Sequence, residues 1–112
     1  MSIWRLRLLP MVLHAFDTKK HPPGVDLDKI FNGLANGLRR RILQLLSRQG
    51  SMCFMDIARS LEVEDHTRVS FHLNILREAG FIDQTQDKVY KLTTHGQRVA
   101  ACLSYICKSL ET

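Results

Sequence analysis

The chain has 112 residues, 45% of them hydrophobic and 24% charged. That composition fits one soluble globular domain and excludes a disordered segment or a two-domain protein. Sixteen Lys and Arg against 11 Asp and Glu leave a net charge of +5, which suits a polyanionic partner without proving one. Three scattered cysteines, an odd number, exclude a disulfide framework. Cys53, Cys102 and Cys107 are therefore expected as reduced, partly buried thiols of a cytoplasmic protein. A domain this small buries only about two-thirds of its unfolded surface, so a monomer is marginal and a homodimer is expected.

Residues 1–24 read as a basic and apolar N-terminal arm, with Arg5, Arg7, Lys19 and Lys20 against the single acid Asp17. Its stretch MSIWRLRLLPMVLHAF has the outline of a signal peptide. Arg5, Arg7 and Pro10 interrupt the apolar part, however, and no small-residue cleavage site follows. Ile3 to Leu9 can form a strand, and Met11 is a second candidate for the start of translation. No run reaches the roughly 20 apolar residues of a membrane span. His21-Pro22-Pro23-Gly24 closes the arm, because proline has no amide hydrogen with which to continue a helix.

Residues 25–112 form the second region. Asp26 can cap a short helix with Leu27, Ile30, Phe31 and Leu34 at i, i+3, i+4, i+7 spacing. Asn36 can cap a second helix, with Leu38, Ile42, Leu45 and Leu46 on one face and Gly50 at its end. Phe54, Ile57, Ala58 and Leu61 mark a third helix, and a polar turn, Glu62-Val63-Glu64, follows it. Asp65 then caps a fourth helix that buries Val69, Leu73 and Leu76 and stops at Gly80. Phe81–Thr85 and Val89–Leu92 are rich in β-branched and aromatic residues, and Gln86-Asp87-Lys88 between them makes a two-stranded hairpin. Thr93 or Thr94 caps a last helix with Val99, Leu103, Ile106, Cys107 and Leu110 on one side.

The fold class is thus mainly α with a small β-hairpin, in the order α-α-α-α-β-β-α of a winged helix-turn-helix. The segments LANGLRRRILQLL, IARSL, VSFHLNILREAGFI and YKLTTHG together resemble the ArsR-type family of transcriptional repressors. The resemblance covers roughly residues 27–100 and is most specific from Ser70-Phe71-His72-Leu73 through Arg77-Glu78-Ala79-Gly80. It implies a sequence-specific DNA-binding regulator that represses by occluding a promoter. Two features depart from the pattern. The turn before the fourth helix is one residue longer than usual. The Cys-x-Cys pair of the metal-sensing members is here Cys53-Phe54-Met55, and the last helix offers Ser104, Tyr105 and Lys108 where other members bind zinc. No metal and no cofactor are expected.

In such a fold the fourth helix enters the major groove by its N-terminal half. At about 100° per residue, an inward Val69, Leu73 and Leu76 turns Thr67, Ser70, Phe71 and Asn74 outward, with Arg68 on the flank. Arg68 suits guanine, Asn74 adenine, and Phe71 a thymine methyl. Lys88, at the hairpin tip, and Lys91 are expected to touch backbone phosphates, which position a protein without reading sequence. Arg40, in the run Arg39-Arg40-Arg41 along one flank of the second helix, is a further phosphate candidate. His72 lies at the edge of the buried stripe and reads as a packed histidine bonded to a nearby backbone group, with a phosphate contact as the alternative. The apolar residues of the first and last helices exceed what the core can cover. Ile30, Phe31, Val99, Leu103, Ile106 and Leu110 are accordingly assigned to the dimer interface. No Gly-rich phosphate loop, nucleophile elbow or paired acids indicate an enzyme. The alternative function is a winged-helix module that docks on protein within a larger assembly.

Overall fold

A computed structural model describes residues 26–111; the expectations for the arm, residues 1–24, lie outside the described residues. Helix α1, Leu27–Leu34, begins at Asp26, whose carboxylate accepts from the amides of Asp28 and Lys29. After Ala35, the side chain of Asn36 accepts from the amides of Leu38 and Arg39 and starts α2, Gly37–Gln49. Helix α2 is the centre of the molecule. Its Ile42, Leu43 and Leu46 are almost fully buried, and burial of each such side chain contributes about 1.5–3 kcal/mol.

Gly50 ends α2 at φ +86, a torsion that costs glycine little. Strand β1, Ser51–Cys53, follows directly and leads into α3, Phe54–Leu61. Helix α3 ends on Glu62 in the left-handed region, with Val63 N–H donating to Ala58 O and Glu62 N–H to Arg59 O. This paired closure satisfies carbonyls left open at the helix end and turns the chain sharply. Asp65 then accepts from the amides of Thr67 and Arg68 and opens α4, His66–Glu78. Helices α3 and α4 form the helix-turn-helix.

Strands β2, Ile82–Gln84, and β3, Val89–Leu92, make the hairpin, and Lys88 at its turn has φ 61. The expected two-stranded hairpin is in fact a three-stranded antiparallel sheet of order β1-β3-β2. Met52 lies opposite Tyr90 on one edge of β3, and Ile82 lies opposite Leu92 on the other. β1 escaped the sequence because three residues show no period, and their partner strand lies almost 40 positions away.

Helix α5, Thr94–Leu110, is capped by Thr93, whose hydroxyl accepts from Gly96 N–H and donates to Gly80 O. Thr93 N–H also donates to Phe81 O, so the start of α5 is held against the end of α4. A side chain at Gly96 would collide with the Phe81 carbonyl. Two expectations about α5 need correction. Leu103 is 8% exposed and belongs to the core, because it lies on the same face as Ala100, which packs inward. Cys102 and Cys107 are exposed rather than partly buried, and Cys53 alone is half-buried; Cys107 lies one turn beyond Leu103, where α5 has left the core.

Candidate nucleic-acid interface

Helix α4 is amphipathic in the sense expected. Val69, Leu73 and Leu76 are buried, while Thr67, Arg68, Ser70, Phe71 and Asn74 are exposed. Phe71 is 58% exposed and its ring meets His72 edge to face, with centroids 5.2 Å apart. A phenylalanine left in water at mid-helix has no role in the core of this domain. The exposed face therefore carries hydroxyls, an amide, a guanidinium and one aromatic ring, a set able to meet base edges and methyl groups.

The hairpin places Lys88 at its turn and Lys91 in mid-strand, opposite Ser51 on one side and Asp83 on the other. Both lysines are exposed. Lys88 thus projects at the tip, whereas Lys91 sits on the face of the sheet with an acid as its cross-strand neighbour.

The arginine run, whose Arg40 is a phosphate candidate, is engaged within the domain. Arg39 is 6% exposed. Its guanidinium donates to Asn32 O at 2.6 Å, to Gly33 O at 3.1 Å and to His72 Nδ1 at 3.0 Å. Arg40 is exposed but donates to Leu34 O at 2.6 Å, and Arg41 donates to Leu61 O at 3.2 Å. Carbonyls in the last turn of a helix lack intrahelical partners, and these arginines supply them for α1 and α3. Arg40 thereby has part of its donor set engaged, which weakens it as a phosphate ligand. Sequence reasoning missed Arg39. Three consecutive helical positions span about 200°, so one of them had to turn towards the core side.

His72 is buried, as expected, but its partner is the Arg39 side chain rather than a backbone group. A guanidinium can only donate, so Nδ1 accepts and the imidazole proton sits on Nε2. Burial first, then Arg39 and then Arg68, holds the His72 pKa below its ordinary 6.5. Burial, then the neighbouring charge of Arg40, lowers that of Arg39. All the charges acting on this pair are positive.

On α1 and α5, Ile30 and Val99 are half-buried against the core, while Phe31, Ile106 and Leu110 are exposed. Leu27 and Tyr105 join them, so α1 and α5 carry an apolar surface. A cleft of about 520 Å³ opens between α1, the end of α4 and the start of α5, with Ile30, Phe81 and Val99 in its walls and Lys29, Glu78 and Arg98 at its rim. Among the described residues no three His, Cys, Asp or Glu side chains cluster as a metal site would. No described helix is long and apolar enough to cross a membrane.

A family model described as a domain of unknown function, DUF7347, matches residues 27–103. The chain belongs to this family. Two curated relatives add to that. An uncharacterized HTH-type transcriptional regulator of Methanocaldococcus jannaschii is 41% identical over 54 residues, 48% of this chain and 60% of the relative. The arsenical resistance operon repressor of Escherichia coli K12 is 36% identical over 70 residues, 60% of this chain and 59% of the relative. The chain thus spans about three-fifths of the length of each. Quinone-bound YodB from B. subtilis superposes with a TM-score of 0.65 at 17% identity, covering 79% of this chain and 94% of that one. At that identity the likeness concerns the fold. The ArsR-type resemblance and the winged helix-turn-helix of this DUF7347 member are thereby shown.

Proposed function

We propose that the protein is a sequence-specific DNA-binding transcriptional regulator that acts as a homodimeric repressor. The observation that carries this reading is the outer face of α4, where a helix-turn-helix presents Thr67, Arg68, Ser70, Phe71 and Asn74 to solvent. In the bound state α4 lies in the major groove. Arg68 and Asn74 contact base edges, Phe71 contacts a thymine methyl, and Lys88 contacts a phosphate at the hairpin tip. Arg40 and Lys91 are lesser phosphate contacts, since one already caps α1 and the other faces Asp83 across the sheet. Regulatory names among the relatives support the same reading.

The dimer uses the apolar surface of α1 and α5, centred on Phe31, Ile106 and Leu110 with Ile30 and Val99 beneath them. Leu103 supports this surface from within the core. Two copies related by a twofold axis would place two α4 helices one helical turn of DNA apart.

Selection of bound duplexes from a random pool tests the proposal, followed by isotherms at several salt concentrations. Enrichment of a pseudo-palindrome, with affinity falling steeply as salt rises, is the expected result. Absence of enrichment and of any salt slope would turn the reading towards protein docking. The dimer has its own check: Ile106→Glu should shift the mass in light scattering from dimer to monomer without unfolding the chain.

A further inference from the structure

The Arg39–His72 pair sits where α1, α2 and α4 meet, and its charge is unbalanced. Arg39 is buried with only carbonyl oxygens and an imidazole for partners. The ion pair found among the described residues, Arg59–Asp56, lies elsewhere, on the exposed face of α3. Arg40 and Arg68 stand close enough to bear on the pair. Arg39, Arg40, Arg68 and His72 thus act on one another by charge, and none of the four side chains is in an ion pair with a carboxylate among the described residues.

His72 is the member of this group with a fixed direction. Its Nδ1 accepts from Arg39 at 3.0 Å, which leaves Nε2 as the protonated nitrogen. Among the described residues Nε2 has no hydrogen-bond partner, yet no buried side-chain nitrogen or oxygen lacks one. Nε2–H therefore opens to the surface, on the flank of α4 that Arg68 shares. A donor whose tautomer and ring position are set from behind loses little freedom on meeting an acceptor. The surrounding positive charge selects an anionic acceptor.

We propose that Arg39 locks His72 as an Nε2–H donor that binds a DNA phosphate beside the bases facing α4. This rests on the DNA-binding reading above. His72 would then be a neutral phosphate ligand, unlike Lys88, and Arg39 would be its positioning residue. The neutrality has a consequence that can be measured. A neutral donor contributes affinity without releasing a counterion, so its removal leaves the salt slope unchanged.

Long-range proton–nitrogen NMR of the imidazole tests the first half directly in the free protein. The Nε2–H tautomer is expected at pH 7, and an Nδ1–H tautomer or an imidazolium would overturn the proposal. Binding isotherms test the second half. In His72→Asn the side-chain oxygen can still accept from Arg39, but no donor reaches the Nε2 position. Affinity should fall roughly 3- to 10-fold on specific and random duplexes alike, at constant salt slope. His72→Gln, whose amide nitrogen reaches that position, should recover affinity to within about twofold of wild type. Wild-type affinity in His72→Asn, or equal losses in both variants, overturns this proposal while leaving the DNA-binding reading in place. Failure of the wild-type protein to bind any duplex overturns both.

Discussion

In α2, Arg39, Arg40 and Arg41 each donate to main-chain carbonyls where another helix ends. On α4 and the hairpin, Arg68, Lys88 and Lys91 make no side-chain hydrogen bond among the described residues and face solvent. The same charge therefore serves two ends. In the first region it closes the open termini of α1 and α3 and ties them to α2; in the second it remains available to a partner. Density of basic residues alone would have ranked the two regions the wrong way round, because the densest run is the one already engaged.

Mutation should separate the regions most clearly at Arg39. Arg39→Met leaves Gly33 O and His72 Nδ1 without a donor and Asn32 O with only the Ala35 amide, and unmet buried groups cost about 1–3 kcal/mol each where water cannot replace the partner. A total loss of about 2–4 kcal/mol is expected in urea unfolding, against less than about 0.5 kcal/mol for Arg68→Ala on the surface. Equal losses for the two variants would erase the distinction.

DNA binding should show the reverse order. Arg68→Ala and Asn74→Ala are expected to cost about 1–3 kcal/mol on the preferred duplex and much less on random DNA. Lys88→Ala should weaken both duplexes alike and lower the salt slope by about one unit. Isotherms on the two duplexes at several salt concentrations distinguish the patterns. If all three variants lost equally on both, α4 would not be reading sequence.

A smaller effect links the regions through pH. The folded pKa of His72 lies below the ordinary 6.5, so on acidification the unfolded chain takes up this proton before the folded one does. Its contribution to stability is complete above pH 6.5 and declines as the pH falls towards the folded value. Thermal melts from pH 7.5 downwards should show a loss that His72→Asn reduces, with Arg39→Met altering the same interval. Identical pH profiles for wild type and His72→Asn would remove the electrostatic part of the argument. At Arg40 the effect should be least: Arg40→Ala loses one exposed bond to Leu34 O, about 0.5–1 kcal/mol of stability, and lowers the salt slope by less than Lys88→Ala does.

Much of the fold was legible because its signals are local. Asp26, Asn36, Asp65 and Thr93 each cap the helix they precede, since a short polar side chain beside open amides acts within its own turn. The inward stripe of α4, Val69, Leu73 and Leu76, follows from helical period alone, and with it the outward placement of Phe71 and Asn74. The ArsR-type resemblance was most specific along the same stretch.

What depended on distant parts of the chain was decided only by tertiary structure. β1 exists because β3 offers it an edge. Leu103 joins the core rather than the outer face because Thr93 holds the start of α5 against Gly80 and Phe81. The direction of Arg39 was set by α1 ending in front of it and by His72 arriving from 33 residues away. A long cation has many rotamers of similar energy, and its period on the helix gives only a sector. Which carbonyl it satisfies is settled by where the other helices end, so the arginine run was visible in the sequence while its use was not.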